Sequence, residues 1–174
     1  MLENVWKWEK MIVFLQIKFF VMFIGDYPSK IDEKGRAVVP FQLLRQIEEN
    51  SRQEGFVVQK DIYDKCLSIF PLSEWNKRVE KLKKRLNPYN KEHDQFLKEF
   101  FRGIIDVTLD KNNRILLPKR MLEFLDNTKD VVFASQPDRL TLWSKERYDS
   151  KGMTQEEYIA KTQEYLGSID FFED

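Results

Sequence analysis

Two stretches decide how this chain folds: IDEKGRAVVP at residues 31–40 and LDKNNRILLP at residues 109–118. In each, Asp is followed four places later by Arg, then by three apolar residues and a Pro. Asp32, Arg36 and Pro40 therefore match Asp110, Arg114 and Pro118 at a constant offset of 78. The match continues, with Leu44 aligned to Leu122 and Ile47 to Leu125, and CLSIF at 66–70 echoes RLTLW at 139–143. Two copies are too few for a solenoid. The repeat predicts a pseudo-two-fold α+β unit, a closed β structure whose halves interleave.

The turn inside each copy carries the chemistry. Gly35 meets the demand of a tight reversal because it takes positive φ without steric cost. Its counterpart is Asn113, a residue type that tolerates the left-handed conformation. Asp32 and Arg36 stand four apart across the bend, and so do Asp110 and Arg114. That spacing suits a charge-assisted fork between carboxylate and guanidinium. On one reading the arginines merely clamp their own loops. On the other, Lys34 and Arg36, with Lys111 and Arg114, project as paired cationic tips, arginine being suited to phosphates and guanine edges. Both hold together if Asp32 orients Arg36 toward an outer ligand.

Hydrophobic periodicity places the remaining elements. Strands are expected at 37–39 and 115–117 beyond each turn, then at 55–59, 66–70, 131–134 and 140–143. Short helices start at the prolines, over 40–49 and 118–125, where a missing N–H costs nothing. Between the copies lie two longer helices. The first spans 72–86, with Ser73 as its N-cap and Trp75, Val79, Leu82 and Leu86 on one stripe. The second spans 91–102, with Phe96, Leu97, Phe100 and Phe101 apolar. A last helix over 154–166 precedes an acidic tail. The predicted order is a leader at 1–21, a first half at 22–71, a helical insert at 72–102, a second half at 103–148, and a helix with tail at 149–174.

Composition narrows the chemistry. Of 174 residues, 42% are hydrophobic and 33% charged, a globular profile. Basic and acidic side chains both number 29, so no overall positive field favours nucleic acid, and such affinity must come from local patches or many copies. One cysteine, Cys66, excludes an internal disulfide framework, and one histidine, His93, excludes multi-His metal sites. No Walker loop, dinucleotide fingerprint or Cys-x-x-Cys occurs, so neither enzyme, cofactor nor small-molecule substrate is expected. Cys66 reads as a small buried hydrophobe and His93 as a solvated helix residue. The run KRVEKLKKR at 77–85 reads as a solvated outer face. The aromatic pairs at 100–101 and 171–172 suit core or subunit contacts.

The leader departs from the rest. MIVFLQIKFFVMFI at 11–24 is apolar but only 14 residues long, short of a membrane span. It also lacks a cleavage signal. A peripheral amphipathic helix and an element packed on the domain are two readings. The preferred one is an over-extended start, with the working protein beginning at Met22. Removing 1–21 leaves 26 basic and 27 acidic side chains, so the charge balance is unaffected.

MFIG at 22–25 leading into IDEKGR, then CLSIFPLSEW at 66–75, the second Asp-x-x-x-Arg copy and NTKDVVFASQPDRLTLW at 127–143 together resemble the MraZ family. The resemblance spans about residues 22–148. It implies a bacterial transcriptional regulator of the division and cell-wall gene cluster, built from AbrB-like swapped hairpins in a double-psi-like barrel. It further implies a homo-oligomeric ring on promoter direct repeats of double-stranded DNA upstream of its own operon. The protein would repress transcription, be cytoplasmic and nucleoid-associated, and need no cofactor or membrane. Carried onto this chain, the DNA-facing positions are Lys34, Arg36 and Arg114. Lys111 is added from its place beside the second turn. Asp32, Gly35, Asp110 and Asn113 shape the turns, and Asn113 stands where the family pattern has Gly. A different class stays open: a non-catalytic interaction or assembly module whose Asp-x-x-x-Arg turns are purely structural.

Overall fold

Strand exchange between the two repeats organises the computed structural model, which describes residues 23–47 and 49–167. In chain order the elements are β1 (Asp26–Lys30), β2 (Arg36–Val38), α1 (Phe41–Leu44), α2 (Glu49–Glu54), β3 (Phe56–Lys60) and β4 (Leu67–Pro71). The insert supplies α3 (Leu72–Arg85) and α4 (Lys91–Phe100). The second repeat supplies β5 (Ile105–Val107), β6 (Arg114–Leu116), α5 (Lys119–Phe124), β7 (Asp130–Gln136), β8 (Arg139–Ser144) and α6 (Lys145–Ser150), and α7 (Gln155–Leu166) follows.

Six strands form one antiparallel sheet in the order β1-β7-β8-β4-β3-β5, and β2 pairs with β6 in a separate two-stranded ribbon. Exchanging each first-half strand for its repeat partner reverses that order onto itself. The pseudo-two-fold axis passes between Ser68 and Thr141 in the sheet and between Ala37 and Ile115 in the ribbon, because both are pairs of equivalent residues lying directly opposite. Strands β1 and β5 therefore each complete the sheet of the other repeat. Neither half can close its hydrogen bonds alone. The architecture is α+β.

One face of the sheet packs on the ribbon and the short helices. Leu43, Leu44 and Ile47 from the first repeat and Met121 and Leu125 from the second meet Val58, Leu67, Ile69, Phe133, Leu140 and Leu142, all buried. Burying Phe133 stabilises by about 1.5–3 kcal/mol. The opposite face carries a smaller cluster of Val57, Phe70 and Trp75, covered by Leu72, Val79, Phe100 and Ile104. Trp75 stacks on Phe100 at a centroid distance of 5.9 Å, which ties α3 to α4. Strand β3 is thus covered on both faces, which accounts for its unbroken FVV run.

Three local expectations need correction. The helix expected over 40–49 is broken: α1 ends at Leu44 and α2 begins at Glu49. The break lets Ile47 drop into the core while the Gln46 side chain bonds both backbone polar groups of Ile24. Ser73 is not an N-cap. The chain enters α3 directly from Pro71, and the Leu72 amide donates to Gly55 at 3.2 Å. His93 is half-buried rather than merely solvated, and its Nδ1 accepts the Asn87 amide at 3.0 Å, closing the α3–α4 corner.

Cys66 is buried just ahead of β4, and burial first, then Asp61 and Asp64, push its thiol up to about 12. A thiolate nucleophile is thereby disfavoured. Among the described residues, no helix is long and apolar enough to cross a membrane. The leader at 1–21 and the aromatic pair at 171–172 lie outside the described residues.

Candidate nucleic-acid interface

The site begins with a carboxylate that organises a bend. Asp32 Oδ1 accepts the backbone amides of Lys34 (2.9 Å) and Arg36 (3.0 Å), forming the side-chain mimic of a turn favoured by Asp. Its Oδ2 accepts Arg36 Nε and Nη2, both at 2.7 Å. The second turn repeats the scheme. Asp110 Oδ1 accepts the amides of Asn112 (2.8 Å) and Arg114 (3.0 Å), and Oδ2 accepts Arg114 Nε (2.8 Å) and Nη2 (2.7 Å). Backbone bonds close each bend identically, from Asp32 to Arg36 and from Asp110 to Arg114 at 2.9 Å.

The fourth turn residue is left-handed in both copies, with φ of 78° at Gly35 and 57° at Asn113. The surroundings differ. A Cβ on Gly35 would lie 2.9 Å from Leu122 Cδ1 and 3.0 Å from the Leu117 carbonyl, so only glycine fits. Gly35 is buried, whereas Asn113 is exposed beside Glu49, Arg52, Gln53, Thr108 and Leu109. There is room for a side chain.

The fold then brings the two turns together. Strands β2 and β6 run antiparallel, the Val39 amide donates to Asn113 at 2.8 Å, and the Leu117 amide donates to Gly35 at 2.9 Å. Each turn is thus stitched to the strand beyond the other. Arg114 Nη1 lies 3.7 Å from Asp32 Oδ2, so Asp32 faces both guanidiniums. The Arg36 guanidinium, followed by the local amides, holds the Asp32 carboxyl down at about 2. At Asp110 desolvation pushes upward, but the amides of Arg114 and Asn112 and the Arg114 guanidinium outweigh it and lower the carboxyl as well. Both remain ionised at any physiological pH.

The arginine side chains are half-buried, 29% exposed at Arg36 and 21% at Arg114. Lys34 and Lys111 are exposed. Arg36 and Arg114 therefore sit near one another around Asp32, while Lys34 and Lys111 lie in the turns at opposite ends of the ribbon. Asp32 and Asp110 offset the two arginine charges, while Glu33 lies 3.9 Å from Lys129. Sequence reading missed two residues here. Val38 (42% exposed) and Leu116 (59%) alternate with buried Ala37 and Ile115, and so share the outer ribbon face with the arginines. The inward Ala37 and Ile115 could have signalled this through strand alternation.

Comparison with known proteins places the chain in a family. The family described as "MraZ protein, putative antitoxin-like" matches residues 22–98 and 100–166. A protein of Bacteroides thetaiotaomicron named "Transcriptional regulator MraZ" is 32% identical over 146 residues, covering 84% of this chain and 93% of that one. The protein of the same name from Phocaeicola vulgatus is 34% identical over 146 residues, covering 84% of this chain and 94% of its own. That from Clostridium acetobutylicum is 35% identical over 127 residues, covering 73% and 84% respectively. With matched segments that each contain one Asp-x-x-x-Arg turn and together cover most of the chain, the chain belongs to the MraZ family.

Proposed function

We propose that this chain is a sequence-specific DNA-binding transcriptional regulator, a repressor that binds direct repeats upstream of its own operon in the division and cell-wall gene cluster. In this reading the two repeats form a duplicated swapped-hairpin barrel, and identical chains assemble into a ring. The observation that carries it is the convergence of Arg36 and Arg114 on one ribbon, flanked by exposed Lys34 and Lys111. The name borne by the relatives supports it.

The chemistry divides by residue type. Arg36, clamped through Nε and Nη2, keeps Nη1 for another acceptor, whereas Arg114 Nη1 also approaches Asp32 at 3.7 Å; both guanidiniums are held in place and lose less freedom on binding. Such preorganised arginines suit guanine edges, while the lysines position phosphates. The surface has only a small positive excess, so one chain binds weakly. Several chains on tandem repeats gain effective concentration without any new contact. The protein acts in the cytoplasm at the nucleoid, without catalysis.

Mobility shift with the duplex upstream of the chain's own gene tests this. Wild type is expected to shift it, with affinity falling by about 0.9 logarithmic units per tenfold rise in salt for each phosphate contacted. The clamping of both arginines favours one alternative, an assembly module with purely structural turns. That alternative gains if Arg36→Ala unfolds the protein, and takes over if wild type shifts no duplex at low salt.

A further inference from the structure

The outer face of the β2–β6 ribbon holds two apolar side chains among its cations. Leu116 lies directly across from Arg36, and Val38 directly across from Arg114. Single exposed apolar residues are ordinary on protein surfaces. These two are different because they are related by the pseudo-two-fold axis through Ala37 and Ile115, and each stands beside an arginine of the proposed DNA site.

We infer that Val38 and Leu116 contact thymine methyl groups in the major groove, next to the bases met by Arg36 and Arg114. This rests on the DNA-binding reading given above and extends it to sequence choice. The major groove is about 12 Å wide and admits a two-stranded ribbon. Thymine presents its 5-methyl group there, whereas the minor groove displays only hydrogen-bonding atoms. Directly opposed side chains on an antiparallel pair start about 5 Å apart, comparable with the roughly 3.4 Å step between bases. An arginine and its apolar neighbour therefore address the same or adjacent base pairs. The cations beside these residues favour a polyanion as the occupant of this face, rather than a second copy of the chain.

The test uses the full-length protein and the duplex from upstream of its own gene, read by fluorescence anisotropy at one salt concentration. Each thymine is replaced in turn by uracil, which removes only the methyl group. At the contacted thymines, replacement is expected to weaken wild-type binding about fourfold. For Leu116→Ala or Val38→Ala, binding becomes indifferent to replacement at the thymine that residue touches. The proposal is overturned if uracil has no effect at any position, or if both variants keep the full wild-type sensitivity. It is also overturned if Leu116→Ala reduces oligomer size in light scattering, which would assign this face to a second copy. Failure of the underlying DNA reading shows itself separately, as wild type binding no duplex at all.

Discussion

The two Asp-x-x-x-Arg turns share one hydrogen-bond scheme, yet the first uses glycine and the second asparagine at the left-handed position. The backbone requirement is the same in both. What differs is the packing: Leu122 and the Leu117 carbonyl crowd buried Gly35, while Asn113 is exposed. A repeated motif thus preserves geometry, and local packing decides which residue supplies it. The ion pairing is asymmetric too. Asp32 faces both arginines, whereas among the described residues Arg36 and Asp110 form no reciprocal pair.

The sharpest break of this comparison is a reciprocal substitution. Gly35→Ala combines left-handed strain with overpacking and is expected to cost about 2–4 kcal/mol in urea denaturation. Asn113→Gly is expected to change stability by less than about 1 kcal/mol. Equal effects would mean that the two turns are not packed differently.

Next in size is the arginine asymmetry. Arg114→Ala removes the fork at Asp110 and the approach to Asp32 together, whereas Arg36→Ala leaves Asp32 within reach of Arg114. The Arg114 variant should therefore melt at the lower temperature, by a few degrees in circular dichroism. The reverse order would remove Asp32 from its role between the turns.

Acid titration probes the same carboxylates. Because the folded Asp32 carboxyl lies near 2, below its ordinary value of 3.8, its contribution to stability is complete above about pH 4. That contribution is lost as pH falls through 2. Asp126, held at about 2 by Arg147 and Lys65, behaves in the same sense. Melting temperature should hold between pH 7 and 5 and fall steeply below 4, and Asp32→Asn should flatten part of that fall. The smallest effects belong to the lysines. Lys34→Ala and Lys111→Ala should each leave stability unchanged and lower the salt slope of DNA binding by about 0.9 if each meets one phosphate.

Much of this was legible in the residues. The 78-residue offset, the left-handed positions and the Asp–Arg fork follow from residue chemistry at fixed spacing. The strand exchange was legible only as an expectation that the halves interleave, because pairing partners depend on tertiary closure. The break at Gln46 and Ile47 was hidden, since Leu43, Leu44 and Ile47 keep helical spacing even though the helix stops at Leu44. Val38 and Leu116 escaped notice because β2 and β6 are three residues long, too short for alternation to stand out. Arg114 near Asp32 joins residues 82 positions apart, which no local pattern reveals.

The most direct measurement is a mobility shift comparing wild type with the double variant Arg36→Ala and Arg114→Ala on the duplex upstream of the gene, alongside circular dichroism and light scattering. The expected result is a wild-type shift that disappears in the variant while its spectrum and assembly size stay normal. A folded, normally assembled variant that shifts the duplex as well as wild type does would contradict the assignment of these two guanidiniums to DNA.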